Sequence, residues 1–468
     1  MSRSGWRGLC RQTIAALFCG LGSLTTGIMF GWPAAAFPKI HRHETKFQMS
    51  IFDESWAISC MSIGIVLGTF PGSILMDNIG RKPSILLFSI FSLLSWLVIA
   101  HSTTLEMLYF GRLLGGVWAG GMFTISPNYL AEVLEPKVRG SLGSISAILT
   151  ASGTLLAFWF APHVSYEHLA LLSSIPTVLF MFCFLFAPET PYLLVMKKNY
   201  VKARKNLAWL RGTNDVQGEL DSIQTFIETE KRKPHKIVDL IFDDKYKWPF
   251  FSCVGLLILQ KGSGYFTILA NQNIIIPSHV GSLKSEDSTL IIGVIGVICS
   301  ILAAFFMDLV GRKVLLQISN VGQATSMLVV GFWHHYSSSI VQSDADLDSY
   351  NIVPLMALFA YVVTFSIGLG PVPHIYLGEV LPPLVKARAT GLIIALAQVA
   401  IISVNEIFAT VTMFSDMYVN FFCFGICSFL AVFYVHKFII ETNGKSLQTI
   451  QKEFRERRTM KGEYFIIE

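Results

Sequence analysis

Twelve stretches of about twenty predominantly apolar residues run through this chain, each the length a helix needs to cross roughly 30 Å of hydrocarbon. They cover about 12–36, 54–76, 84–101, 105–126, 142–162 and 168–187, then 248–272, 288–309, 314–335, 353–378, 390–412 and 417–440. No water can satisfy backbone groups at that depth, so each stretch is expected to be helical. The predicted fold is an all-α membrane protein with twelve transmembrane helices. Composition agrees: 53% of the 468 residues are hydrophobic and 14% charged, against about 25% charged in soluble domains. Arg3, Arg7 and Arg11 precede the first stretch as they would a signal peptide. With so many apolar stretches behind it, that stretch reads as a retained first span.

The loops set the orientation. If the N-terminus, the loops after even-numbered spans and the C-terminal tail share one face, that face holds 30 of the 36 Lys and Arg residues. The opposite face holds only Lys39, Arg42, Lys46 and Lys284, while Arg112 and Lys261 fall within spans. The basic face is therefore expected to be cytoplasmic, with both termini inside. The net charge of +5 is modest and concentrated on that side, which makes nucleic acid a poor partner. The outer loops carry no Asn-x-Ser/Thr acceptor.

One long polar interval, 188–247, divides the spans six and six, with 12 Lys and Arg and 9 Asp and Glu. The domains read as a six-helix half (1–187), a cytoplasmic linker (188–247), a second six-helix half (248–440) and a cytoplasmic tail (441–468). Apolar residues near helical spacing (Val201, Leu207, Leu210; Leu220, Ile223, Ile227) predict short amphipathic surface helices, with a solvated linker as the alternative. Seven of the eight cysteines lie in apolar runs, so no disulfide framework is expected. Cys423 and Cys427 sit one turn apart without a second Cys or His pair, and buried packing explains them better than a metal. No metal, cofactor, nucleotide loop or paired catalytic residues are read, and an ordinary enzyme is not expected.

The halves repeat each other. Asp77-Asn-Ile-Gly80-Arg81-Lys82 follows span 2, and Asp308-Leu-Val-Gly311-Arg312-Lys313 follows span 8, 231 residues later. Tyr129-x-x-Glu132 with Arg139-Gly140 after span 4 is matched after span 10 by Glu379 and Arg388. Two homologous bundles account for this. A carboxylate near the membrane face is costly unless paired. The Gly allows a tight turn, and the Arg and Lys can answer carboxylates, as can Glu132 with Arg139 and Glu379 with Arg388. Such clusters would act as a gate, or more simply anchor the loops.

These residues resemble the sugar porter family of the major facilitator superfamily, most nearly its facilitated trehalose and glucose transporters. The likeness covers nearly the whole chain and extends to Gly111-Arg112 with Gly115, Gly116, Gly120 and Gly121, to Pro188-Glu189-Thr190-Pro191, and to Glu441-Thr442-x-Gly444-Lys445. Ile440 stands where the family has Pro. The resemblance implies a cytoplasmic charge network at Arg81, Glu132, Arg139, Glu189, Arg312, Glu379, Arg388 and Glu441. The span 4 glycines read by themselves as helix packing.

Transport sites of this architecture lie beside interrupted helices, and spans 7 and 10 are the interrupted ones. Gln260, Lys261, Ser263 and Asn271 in span 7 and His374 and Tyr376 in span 10 are the candidate substrate residues, with Trp32 at the outer end of span 1. A sugar needs amides that donate and accept together with an aromatic face. Compared with the family, Lys261 replaces a Gln, Phe266 an Asn and His374 a Trp, and Ala147 aligns with an amide. Lys261 lies about 20 Å along its helix, which implies an anionic substrate, a structural pair with a carboxylate such as Glu406, or a deprotonated lysine. His374 reads as a titrating group or a packed neutral one, and Trp32 as a family feature or an interfacial anchor. The family's acidic residue in span 1 has no counterpart in Gly27–Gly31, which favours facilitated diffusion over symport. The expected function is a facilitative sugar carrier (a hexose, or a disaccharide such as trehalose) in the plasma membrane, working by alternating access. A carrier of a charged small solute using Lys261, and a transport-deficient sensor, are the rivals.

Overall fold

The computed structural model describes residues 3–135, 138–231, 244–276, 279–280, 283–340, 352–381, 383–445, 449–450, 452–454 and 456. The chain divides into two compact units, Met1–Pro234 and His235–Glu468.

The first unit contains α1 (Arg3–His41), α2 (Ile51–Asn78), α3 (Arg81–Ala100), α4 (Leu105–Val133), α5 (Ile145–Phe160) and α6 (Tyr166–Phe184). A short helix, Arg139–Gly143, leads into α5. Polar residues start these helices where the sequence supplies them. The Ser50 hydroxyl accepts the Asp53 N–H while the Asp53 carboxylate accepts the Ser50 N–H, closing a capping box on α2. Thr104 caps α4 with a single bond, its hydroxyl accepting the Met107 N–H. Surface helices Pro191–Met196, Tyr200–Arg211 and Gln217–Lys231 follow and belong to this unit. Leu194, Val195, Ala203, Leu207, Val216, Leu220, Ile223 and Ile227 form their shared apolar core. Val201 lies outside it, 82% exposed.

The second unit contains α7 (Asp244–Gly262), which breaks and resumes as Tyr265–Ala270 and Gln272–Ile275, then α8 (Ser285–Val310) and α9 (Arg312–Ile340). α10 (Ile352–Thr364) passes through a π-helical segment, Phe365–Leu369, into Val372–Val380. α11 (Pro383–Phe414) and α12 (Tyr418–Phe438) complete it. Among the described residues the one departure from an all-α description is a hairpin of two-residue strands, His279–Val280 and Leu283–Lys284.

Among the described residues eleven helices are long and apolar enough to cross a membrane, and α4 supplies the twelfth. Its hydropathy is diluted by Arg112 and by Gly111, Gly115, Gly116, Gly120 and Gly121, which serve packing. A Cβ at Gly116 would collide with the Met61 carbonyl of α2 and one at Gly120 with that of Ile65, while Gly64 and Gly68 of α2 meet the carbonyls of Leu113 and Val117 in the same way. Two backbones in that proximity leave no room for a side chain. The outward faces are apolar, with Phe182 62%, Phe305 68% and Leu309 78% exposed, the reverse of a water-facing surface.

The same packing scheme occurs within each unit. In the first, α4 lies against α2 and α3, α5 against α1, and α6 against α3. In the second, α10 with its π segment lies against α8 and α9, α11 against α7, and α12 against α9.

Candidate functional site

Helices α3 and α9 begin alike. Gly80 (φ +123°) and Gly311 (φ +94°) precede their first turns in a backbone conformation that favours glycine, and neither offers a side-chain cap. The orphaned N–H groups are instead met by a glutamate that follows the sixth long helix of the same unit. Glu189 accepts the Lys82 N–H at 3.3–3.4 Å, and Glu441 accepts the N–H groups of Arg312 and Lys313 at 2.9 and 3.0 Å. An Arg-Lys pair opposes the positive end of a helix dipole, so a carboxylate there is stabilising. A Cβ at Gly80 would lie 2.5 Å from Glu189 Oε2, and one at Gly311 2.8 Å from Glu441 Oε2, so the glycines also make room for the caps.

The arginines lie across these corners. Arg81 is 6% exposed; it donates to Glu132 at 2.8 Å and to the Met76 carbonyl at 3.1 Å. Arg312 repeats this with Glu379 at 3.0 Å and the Met307 carbonyl at 3.1 Å. Thr442 donates to Glu379, and Thr190 bonds Glu132. The side chains of Lys82 and Lys313 reach the carbonyls of Leu185 and His436. Burial pushes the Glu189 carboxyl above its ordinary range, only partly countered by N–H groups of Thr190, Lys82 and Arg81. Burial acts the same way on Glu441 but is outweighed by N–H groups of Asn443, Lys313, Arg312 and Thr442, so this carboxyl is held below its ordinary range.

The pairs differ from those that nearness in sequence suggested. Glu132 bonds Arg81 rather than Arg139, whose Nη2 donates to the Leu134 carbonyl at 3.4 Å. Glu379 takes Arg312, and Arg388 is exposed. Asp77 is a distant partner of Arg81 at 3.9 Å, and the Asp308 side chain lies outside the described residues. The partners come from neighbouring helices because the charges of one loop lie along its own turn and face away from each other.

In the second unit the breaks in α7 and α10 face each other. Pro373 has no N–H for the Leu369 carbonyl one helical turn back. Gln260, wholly buried, donates its amide to that carbonyl at 2.7 Å and to the Gly370 carbonyl at 3.1 Å. The π segment closes with the Gly370 N–H on the Phe365 carbonyl, and the Ser319 hydroxyl of α9 accepts the displaced Leu369 N–H at 2.9 Å. On α7, Gly264 (φ +86°) turns the chain where a Cβ would lie 2.5 Å from the Phe424 ring. Tyr361 of α10 donates to the Ser263 carbonyl freed by that turn. Tyr265 stacks on Phe365 with centroids 3.6 Å apart and rings 4° from parallel.

The candidate substrate residues separate accordingly. Gln260, Lys261, Ser263 and His374 gather at this crossing. Lys261 is 7% exposed and forms no ion pair with Glu406; its Nζ sits over the Phe266 ring, 3.7 Å from the centroid. His374 is exposed rather than packed. Tyr376, two residues on and so turned to the other side of the helix, is fully buried, its hydroxyl accepting the Ile440 N–H. Asn271 is buried and bonds its own helix at the Thr267 carbonyl. Trp32 is fully buried in the first unit beside Trp96 and Tyr166, with the Arg112 guanidinium over its ring. The sequence reading missed Ser319, Tyr361 and the Thr267–Asn405 hydrogen bond of 2.6 Å. Polar residues recurring in the apolar α9, among them Ser319 and Gln323, were the available signal.

The family described as "Sugar (and other) transporter" matches residues 19–454. A facilitated trehalose transporter Tret1 of Apis mellifera ligustica is 30% identical over 446 residues, covering 95% of this chain and 88% of its own length. The protein of the same name from Polypedilum vanderplanki is 30% identical, covering 94% and 88%. Among solved structures, the proton:xylose symporter XylE bound to 6-bromo-6-deoxy-D-glucose superposes with a TM-score of 0.79 at 20% identity, covering 96% of this chain and all of the other. Inward-open XylE from E. coli superposes at 0.74 and 21%, covering 93% and 99%.

Proposed function

Because the chain belongs to the Sugar (and other) transporter family, we propose that it carries a hexose, or a disaccharide such as trehalose, down its gradient by alternating access. It is a membrane transporter and not an enzyme. The observation that carries the sugar reading is the paired break of α7 and α10. A buried amide whose Oε1 has no partner among the described residues and the half-buried Tyr265 ring meet there within one unit, the kind of chemistry a hydroxyl-rich ring requires. Facilitation rather than proton coupling is supported by α1, where Gly27–Gly31 has no acidic side chain and the nearby Arg112 is held by the carbonyls of Met29 and Ala57.

The two Arg–Glu corners are the proposed cytoplasmic gate elements, loosening and re-forming as the carrier cycles. The carrier is proposed for the plasma membrane, and the excess of Lys and Arg in one set of loops supports both termini lying in the cytoplasm. The test is flux of labelled trehalose, glucose and xylose into liposomes containing the purified protein, with and without a pH gradient. Saturable uptake of at least one sugar, unaccelerated by the gradient, is expected. Folded protein that moves none of them defeats the sugar reading, and acceleration by the gradient defeats facilitation.

A further inference from the structure

We infer that the crossing of α7 and α10 selects a sugar bearing a single carboxylate, a hexuronate or similar sugar acid, with Lys261 as the specificity-determining residue. This rests on the sugar-carrier reading above. An ammonium at membrane depth is costly without a counter-charge, yet among the described residues Lys261 has no carboxylate partner. Its neighbours are the Phe266 ring at 3.7 Å and His374, a second basic group within its electrostatic reach. The carbonyls freed by the two breaks do not compensate for it, since Gln260 takes those of Leu369 and Gly370 in α10 and Tyr361 takes that of Ser263 in α7. One face of a phenyl ring does not replace the hydration of an ammonium.

The exposed ring of His374 makes the crossing reachable. Gln260 Oε1 has no hydrogen-bond partner among the described residues and is an acceptor suited to a hydroxyl. A cation beside a hydroxyl acceptor describes a polyhydroxylated monoanion. A phosphate ester fits less well, because it carries a charge of about −1.5 to −2 near neutral pH and a single ammonium answers only part of it.

Glucuronate and its neutral counterpart glucuronamide isolate the charge. In liposomes containing the full chain, glucuronate should inhibit labelled-glucose uptake at about ten-fold lower concentration than glucuronamide. Lys261→Gln should erase that difference and Lys261→Arg keep it, thermal unfolding confirming that both variants are folded. Equal inhibition by the two compounds while glucose uptake is intact overturns the inference and leaves the sugar-carrier reading standing. If no sugar moves at all, the sugar-carrier reading falls, and thermal stabilisation of the wild-type protein decides the charge site. Stabilisation by glucuronate beyond that by glucuronamide supports it, and equal or no stabilisation overturns it.

Discussion

Glu189 caps the helix that Gly80 opens: its carboxylate bonds the Lys82 N–H, and the missing Cβ of Gly80 is the space in which Oε2 rests. Glu441 and Gly311 repeat the relationship in the second unit. Removing either carboxylate by Glu189→Ala or Glu441→Ala should therefore cost about 1 kcal/mol, as loss of a helix cap does. Gly80→Ala should cost more, since it adds strain and displaces the carboxylate. Thermal unfolding in detergent measures all three, and a neutral Gly80→Ala would refute the cap.

The two caps should part under acid. The Glu441 carboxyl is held below its ordinary range, so the stability it contributes is present above the unfolded pKa of about 4.3 and is lost as pH falls through the lower folded value. The Glu189 carboxyl is raised, so its ionisation opposes folding and the contribution runs the other way. Between pH 6 and 3 the corrected exchange protection of the Lys313 amide should fall, most steeply below the unfolded carboxyl pKa of about 4.3, while that of Lys82 holds or rises. Parallel behaviour of the two amides would contradict the assignment.

Double-mutant cycles discriminate the observed pairs from those adjacent in sequence. Arg81 with Glu132, and Arg312 with Glu379, should show coupling of about 1–3 kcal/mol. Arg139 with Glu132 should show close to none. Strong coupling of the latter pair would mean that the corner is wired differently.

Gln260→Leu leaves the Leu369 carbonyl without its donor. The expected loss is about 1–3 kcal/mol in stability, together with reduced uptake. Gln260→Glu presents no amide donor when ionised and should share the defect, and wild-type stability in both variants would rule out the bridge.

Charge reversal at Arg81 or Arg312, the arginines of the two corners, tests the gate. Each should reduce uptake and raise cytoplasmic labelling of cysteines placed along α4 or α10. Unchanged uptake and labelling would remove these residues from the gate.

The number of spans and the recurrence of Gly-Arg-Lys were legible in the sequence. Membrane crossing depends on the solvation of contiguous residues, and a duplicated loop preserves its own spacing. The charged loop residues were legible as groups needing partners for the same reason. Which partner each took was decided only in three dimensions. Arg81 meets Glu132 across 51 residues and Lys82 meets Glu189 across 107, because helix crossings, and not chain distance, bring those atoms together. Tertiary structure likewise turned Tyr376 and Trp32 into the packed interior, left His374 exposed, and set Lys261 over Phe266 instead of beside Glu406. A helix's rotation about its own axis is fixed by the neighbours it packs against, and no local pattern of residues encodes it.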